Sequence, residues 1–175
     1  IAYEAVHEIN SWDELRLRLA PKDRRCFAFF HPAMQDEPII FVEVALMNNI
    51  PSKIKDVLEE ERQLIEPHEA NVAVFYSISN CQKGLSGISF GNFLIKQVAN
   101  DLKFEFNNIK KFVTLSPVPG LRNWIKNKNP KFELILEKFK KSEQFLKIKP
   151  SLMRYAGDYF LNSDRSDGMP NDPVA

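Results

Sequence analysis

The sequence predicts an α/β (α+β) fold in which a mixed β-sheet is flanked by helices. Three observations support this prediction. The run 72–78 consists mostly of β-branched and aromatic residues, which is typical of a strand buried on both faces. A helical pattern follows, in which Phe90, Leu94, Val98 and Leu102 recur every four positions. Further apolar runs, at 24–30, 39–46 and 112–116, are predicted to supply the remaining strands.

A short surface helix is predicted over 11–19, ahead of the first strand. Ser11 and Glu14 have the spacing of a capping box, which marks the start of a helix. Arg16 and Arg18 lie off the apolar face, and we expect both to be solvated. The predicted apolar face consists of Trp12, Leu15 and Leu19.

The first two strands are joined by the segment 31–38, which holds two prolines. This composition predicts a loop rather than a tight two-residue hairpin. Glu43 interrupts the apolar second strand. An unpaired buried carboxylate is costly, so we expect Glu43 to point outward or to pair with an arginine such as Arg24 or Arg25.

Helices are also predicted on either side of the central unit. One is expected to start at Pro51 with Ser52 as its N-cap and to end at Pro67, with the charged run 59–62 on its solvated face. After the last strand, Trp124 begins a helix or a loop. Helices are predicted over 132–145 and 152–161, and the polar end of the chain is expected to be loop or tail.

The connection between the central strand and its helix carries glycines at 84, 87 and 91. Backbone N–H groups at the start of a helix have no intrahelical partner, and the helix dipole is positive there, so a phosphate fits such a turn. The spacing matches neither the dinucleotide fingerprint nor a Walker loop. The glycine-rich connection therefore has two possible interpretations: an anion site, or a plain connection whose glycines allow tight packing.

Bulk composition excludes several classes of function. The chain has 175 residues with 24 basic and 23 acidic side chains, so its net charge of +1 calls for neither nucleic acid nor an anionic membrane. The two cysteines suit a reducing compartment. Cys26 is expected to be a small buried hydrophobe, and Cys81 lies beside the glycine-rich turn. We expect no transmembrane helix and no signal peptide.

Several segments together resemble one known family, malonyl-CoA decarboxylase. The stretch SISNCQKGLSGISFGNFLIKQV (77–98) and the stretch TLSPVPG (114–120) carry the resemblance. The segments YEAVH (3–7), FFHPAMQDEP (29–38) and FVEVAL (41–46) agree with it in the family's order. The resemblance implies an acyl-CoA acetyltransferase-like (GNAT-like) fold and the conversion of malonyl-CoA to acetyl-CoA and CO2.

The resemblance also implies a site. The serine that opens S-P-V-P-G, Ser116, corresponds to the family's catalytic serine, which holds or polarises the malonyl group without an acyl-enzyme. From spacing alone, a serine before proline is more often a turn residue. The three scattered histidines give no metal-ligand spacing, so no metal is expected. The implied coenzyme A-binding residues are Ser86, Gly87, Ile88, Ser89, Phe90, Gly91 and Asn92, and the secondary candidates are His31, Ser79 and Lys83.

The family's catalytic histidine lies in a downstream segment, and we expect it beyond Ala175. His31 is the best histidine in the chain, although a histidine in a loop is more often a structural, hydrogen-bonded residue. Residues 1–175 are expected to be a single catalytic-type domain, incomplete at the C-terminus and without the family's N-terminal helical domain. As a consequence, the chain itself is expected to bind coenzyme A better than it turns over substrate.

Other expectations concern partners and alternatives. Malonyl-CoA and acetyl-CoA are the implied ligands, no cofactor is expected, and the full-length protein is expected to be a soluble homo-oligomer. The compartment is either the bacterial cytoplasm or a mitochondrial or peroxisomal matrix. Two other functions share the glycine-rich turn: an acyl-CoA-dependent acyltransferase and a non-catalytic acyl-CoA-binding module.

Overall fold

The computed structural model describes residues 4, 6–82, 84, 88, 90–118, 120–139 and 145–162. The chain divides into two compact units, Ile1–Ser116 and Pro117–Pro173. The first unit contains a β-sheet with helices, whereas the elements described in the second unit are all helical.

Four strands form the sheet of the first unit: β1 (Arg24–His31), β2 (Met34–Met47), β3 (Val72–Asn80) and β4 (Lys111–Thr114). They lie side by side in chain order. The β1–β2 and β2–β3 pairs are antiparallel, and the β3–β4 pair is parallel. The prediction of a mixed sheet flanked by helices is therefore confirmed.

The helices of this unit are α1 (Trp12–Leu19), α2 (Lys55–Leu58) and α3 (Phe90–Glu105), with a 3₁₀ turn at Pro67–Glu69. The predicted start of α1 is confirmed, because Ser11 Oγ accepts a hydrogen bond from the backbone N–H of Glu14 at 3.1 Å. The Glu14 carboxylate in turn accepts from the N–H of Asn10, one residue before the cap, at 2.7 Å.

Helix α3 packs on one face of the sheet, as its four-residue apolar period predicts. Leu94, Val98 and Leu102 are buried in a core cluster with apolar residues of β2 and β3. The clean separation of apolar and polar positions explains why this helix was predictable from sequence. The strand residues in the cluster are Ile40, Val42, Val44, Leu46, Ala73 and Phe75.

The opposite face of the sheet holds a smaller apolar cluster around Ala45, Val57, Val74 and Tyr76. A β-bulge interrupts this face: Ser77 lies opposite Glu43 and Phe75 lies opposite Val44, so Tyr76 is the extra residue. A bulge re-aims the side chains of its strand. As a result, Tyr76 and Ser77 both lie on the side of the sheet away from α3.

Two predicted connections are wrong. Residues 32–33 form a two-residue turn between β1 and β2 instead of a long loop. Pro38 is accommodated within β2 because the register is irregular there, opposite Phe30. The helix predicted from Pro51 to Pro67 shrinks to the four residues of α2. Ser52 does not cap it; instead Ser52 N–H and Oγ both donate to the Asp56 carboxylate at 3.2 Å.

The predicted burial of α1 is also wrong. Trp12 and Leu19 are 74% and 45% exposed, whereas Arg18, expected to be solvated, is 6% exposed. The helix turns Arg18 inward because a buried carboxylate, Glu43, lies on the sheet beneath it. Cys26, predicted to be buried, is exposed on β1.

The charged run 59–62 is solvated only in part. Arg62 turns inward, where its Nη2 donates to the backbone carbonyl of Leu17 at 3.3 Å. The same nitrogen lies 3.4 Å from the Asp23 carboxylate. Helix α2 ends at Leu58, where Glu59 has an extended backbone, and the chain beyond it brings Arg62 to these buried partners.

The second unit contains α4 (Leu121–Lys128), α5 (Pro130–Phe139) and α6 (Phe145–Asn162). The region that begins at Trp124 was predicted to be either a helix or a loop, and Trp124 lies in helix α4. Trp124 makes edge contacts with Tyr155 and Tyr159 of α6. The predicted helices are displaced: α5 starts two residues before the predicted 132, and α6 starts seven residues before the predicted 152.

Candidate functional site

The parallel strands β3 and β4 separate at their carboxyl ends. The last paired residues are Phe75 and Thr114, and the N–H of Leu115 still donates to the Phe75 carbonyl at 2.8 Å. Beyond this point β3 continues to Asn80 without a described partner on the β4 side. An opening between the carboxyl ends of neighbouring parallel strands is where ligands bind in open α/β sheets.

Ser116 lies at this opening. The strand predicted over 112–116 ends at Thr114, so Ser116 follows the strand by two residues. It is half-buried. The chain thus brings the hydroxyl of Ser116 to the carboxyl end of β4, as its position in the sequence predicts.

In the sequence the glycine-rich turn connects β3 to α3. Of its candidate residues, Ile88 is 50% exposed. A Cβ added at Gly84 would meet no heavy atom within 4 Å, so the space around this glycine is open. The candidates Lys83, Ser86, Gly87 and Ser89 lie outside the described residues.

The first turn of α3 supplies the rest of the predicted cradle. Phe90 is half-buried, Gly91 is buried and Asn92 is exposed. The N–H of Phe90 donates to the Ile88 carbonyl at 2.8 Å. No acidic residue occurs in this turn. The positive end of the helix dipole is therefore not offset by a carboxylate, which favours an anion.

The turn is tied at its start to the β1–β2 hairpin. The N–H of Cys81 donates to the Ile39 carbonyl at 2.9 Å. Gln82 Nε2 donates to the Glu37 carboxylate and to the Pro38 carbonyl, each at 3.2 Å. Burial raises the pKa of the Cys81 thiol. Cys81 is therefore a neutral thiol at pH 7 rather than a nucleophilic thiolate.

Two of the secondary candidates, His31 and Ser79, lie in the described part of the chain. His31 is exposed at the β1–β2 turn, where its Nδ1 accepts from the N–H of Ala33 at 3.1 Å. Its strand, β1, is separated from β3 by β2. Ser79 is buried within β3, opposite Phe41.

A polar cluster that sequence reasoning missed surrounds the bulge of β3. The Glu4 carboxylate accepts from Ser77 Oγ, with distances of 2.8 Å to Oε1 and 2.7 Å to Oε2. Glu4 Oε1 also accepts from the N–H groups of Val6 and His7, both at 2.8 Å. The one available signal was Glu4's place in the segment YEAVH, which gave it no role.

Buried charges extend this cluster. Arg18 Nη1 lies 3.5 Å from Glu43 Oε2, and Arg18 Nη2 donates to the Glu8 carbonyl at 3.1 Å. Burial, and then the charge of Glu4, raise the pKa of the Glu43 carboxyl against the opposing effect of Arg18. Burial raises the pKa of the Tyr76 hydroxyl, and the neighbouring Glu43 adds to it.

The described part of the chain has neither a metal-ligand cluster nor a membrane-spanning helix. No group of three or more His, Cys, Asp or Glu residues there could hold a metal ion. None of the helices described there is long and apolar enough to cross a membrane.

Comparisons with known proteins identify the family of this chain. The family model of the malonyl-CoA decarboxylase C-terminal domain matches residues 1–175. The mitochondrial malonyl-CoA decarboxylase of Anser anser anser is 40% identical over 124 residues, which are 70% of this chain and 24% of that protein. The rat enzyme (Rattus norvegicus) is 38% identical over the same length, 25% of that protein.

Crystal structures of two bacterial malonyl-CoA decarboxylases are also similar. The structure from Agrobacterium vitis has a TM-score of 0.84 and 51% identity, and covers 99% of this chain and 46% of its own. The structure from Rhodopseudomonas palustris has a TM-score of 0.87 and 48% identity, with the same coverage. The chain thus spans about a quarter of the curated relatives' length and under half of each solved chain. It belongs to the malonyl-CoA decarboxylase family, through that family's C-terminal domain.

Proposed function

We propose that the protein to which this chain belongs is a malonyl-CoA decarboxylase, a carboxy-lyase that converts malonyl-CoA to acetyl-CoA and CO2. The observation that carries the proposal is the position of Ser116 just after the carboxyl end of β4, the parallel neighbour of the strand β3 from which the chain leads into α3. The names and structures of the relatives support the same reaction.

Coenzyme A is proposed to enter along the opening between β3 and β4. Its pyrophosphate would be held by the turn and first helical residues, where backbone N–H groups and the helix dipole favour negative charge. The binding residues in this proposal are Ser86, Gly87, Ile88, Ser89, Phe90, Gly91 and Asn92, with Lys83 as an auxiliary cation.

The chemistry needs a donor for a developing negative charge. When the bond between the carboxylate carbon and the methylene carbon breaks, its electron pair passes into the thioester as an enolate and CO2 leaves. Ser116 is proposed to orient the malonyl group and to donate a hydrogen bond to it. A general acid other than Ser116 then adds a proton to the methylene carbon, which yields the acetyl thioester.

The test is acetyl-CoA formation from malonyl-CoA by the full-length protein, beside the 175-residue chain. Ser116→Ala is expected to lower kcat by about 10²–10³-fold, the effect of losing one such donor. Ser52→Ala, on the exposed segment before α2, is the matched control. Near-normal turnover by Ser116→Ala would refute the role of the serine.

Two other results would favour other functions. Consumption of acyl-CoA that depends on an added amine would indicate an acyltransferase. Tight binding of coenzyme A without any turnover by the full-length protein would indicate a binding module.

The remaining proposals concern the whole protein. We propose that residues 1–175 act as one catalytic-type domain, that no cofactor beyond the coenzyme A of the substrate takes part, and that the full-length protein is a homo-oligomer. Its proposed compartment is a bacterial cytoplasm or a mitochondrial or peroxisomal matrix, without nucleic acid or membrane as partner.

A further inference from the structure

The β-bulge of β3 coincides with the place where β3 loses its neighbour β4. Phe75 is the last residue of β3 that pairs with β4, and the two residues after it, Tyr76 and Ser77, form the bulge. A bulge changes both the direction of its strand and the aim of its side chains. Residues 76–80 of β3 form one wall of the opening. The shape of the bulge therefore sets the direction of this wall.

An N-terminal strap, defined here as Glu4 and residues 6–8, contacts both bulge residues. Glu4 binds the Ser77 hydroxyl, as described above. The His7 imidazole lies against the backbone of Tyr76, and burial lowers the pKa of His7. The strap is held at its other end by Arg18, which donates to the carbonyl of Glu8.

The Glu4 carboxylate accepts hydrogen bonds from three donors. Three donors, Ser77 Oγ–H and the N–H groups of Val6 and His7, point at its two oxygens. A carboxylate accepts all three, and hydrogen bonds to charged groups are the strong ones. An amide in the same place accepts at one oxygen only, and its NH2 donates to the Ser77 hydroxyl, so the hydroxyl loses its charged acceptor and keeps at most a neutral hydrogen bond.

We propose that Glu4 is a positioning residue: by clamping Ser77 it fixes the bulge of β3, and with it the wall along which the acyl thioester lies. This inference rests on the proposed function for the identity of the thioester. Glu4 itself exchanges no proton with the substrate, since its oxygens are occupied by the three donors. Its loss is expected to act on the reacting geometry rather than on the grip on coenzyme A, which the turn before α3 supplies.

The test uses the full-length protein and the variants Glu4→Gln and Ser77→Ala: the first takes away the charged acceptor of the bond, and the second takes away the hydroxyl. Each is expected to lower kcat for malonyl-CoA by about 10- to 100-fold, the loss that follows removal of a hydrogen bond to a charged group. KM and the Kd for coenzyme A are expected to stay within about threefold of the parent values. The double variant is expected to be no worse than the worse single variant.

Glu8→Gln is the matched control, because its side chain is exposed and only its backbone carbonyl is used by the strap. Full activity in both Glu4→Gln and Ser77→Ala would overturn the proposal. So would an equal loss in Glu8→Gln, or a loss confined to KM. If one variant fails to fold, the other decides.

A failure of the proposed function is distinguishable from a failure of the clamp. If the parent protein does not turn over malonyl-CoA, the decarboxylase assignment falls, and the clamp is judged by hydrogen exchange at the amides of residues 76–80. Faster exchange in Glu4→Gln than in Glu8→Gln supports the clamp, and equal exchange overturns it.

Discussion

The two faces of the sheet in the first unit are built on different physical principles. The face under α3 is apolar, and three leucine and valine side chains of one helix fill it: Leu94, Val98 and Leu102. The other face buries charges as well as apolar groups. Glu43, Arg18, Asp23 and Arg24 are each at most 6% exposed there. One sheet therefore combines a face of packed apolar side chains with a face that buries ion pairs as well.

The difference bears on function because the charged face borders the bulge of β3. Packing against α3 holds the sheet together, but a hydrophobic contact has no direction and cannot fix one residue's backbone. Hydrogen bonds to charged groups are directional. The charged face is thus suited to set the geometry of β3 where β4 leaves it.

The largest expected effect comes from leaving Glu43 without its cation. Arg18→Ala is expected to lower the free energy of unfolding by about 3–5 kcal/mol, the usual cost of stranding a buried charge. Denaturant unfolding of the 175-residue chain measures it. The control is Arg16→Ala on the exposed side of the same helix, expected to change stability by under about 0.5 kcal/mol.

A second variant sharpens this result. Replacing both partners, Arg18→Met with Glu43→Leu, is expected to recover most of the loss, because two well-packed apolar residues leave no charge unpaired. If Arg18→Ala alone were as stable as the parent, the charged face would contribute nothing to stability.

Truncating the apolar face is expected to cost somewhat less. Leu102 is fully buried, so Leu102→Ala removes packed methyl groups and leaves a cavity. A loss of about 2–5 kcal/mol is expected. Phe104→Ala, two residues away and 88% exposed, is the control and is expected to be nearly neutral. Equal effects of the two substitutions would contradict the assigned packing face of α3.

These two faces also differ in how far the sequence predicted them. The period of Phe90, Leu94, Val98 and Leu102 and the apolar run of β3 were sufficient to predict the apolar face, because both signals are local. The Arg18–Glu43 pair joins residues 25 positions apart, and no local pattern encodes it. An arginine off the apolar stripe of α1 looked like a solvated residue, yet the buried carboxylate turned it inward.

The candidate site also contains some features that a local sequence pattern predicts and others that depend on contacts between distant residues. The positions of Ser116, just after β4, and of the start of α3 were predictable because the sequence marks both elements with local patterns. The β1–β2 turn was mispredicted because Pro38 fits an irregular position in β2 that only the pairing partner reveals. The Glu4–Ser77 bond spans 73 positions and was likewise beyond any motif.

A smaller change in stability is expected from pH, which alters the charge of Glu43 within the charged face. Because burial and Glu4 raise the pKa of the Glu43 carboxyl above its ordinary value of 4.5, the native state keeps that proton to higher pH than the unfolded state. As pH rises from 4.5 through the raised native pKa, the contribution of Glu43 to stability therefore decreases.

The variant Glu43→Gln isolates this contribution. Its free energy of unfolding, compared with that of the parent in steps from pH 4.5 upward, is expected to improve relative to the parent as the pH increases. A difference between the two proteins that does not change with pH would show that Glu43 titrates alike in both states.

The smallest effect is expected for an ion pair of the same kind outside the charged face. Lys22 Nζ lies 3.1 Å from Glu66 Oε1, closer than Arg18 lies to Glu43, but these side chains are 74% and 49% exposed. Water solvates both charges when either partner is lost. Lys22→Ala is therefore expected to cost about 0–1 kcal/mol, falling further in high salt. Because this bond is shorter than the buried one, a loss as large as that of Arg18→Ala would mean that distance rather than burial governs these pairs. A loss near zero would instead indicate that the buried pair contributes more to the free energy of unfolding because water is excluded from the charged face.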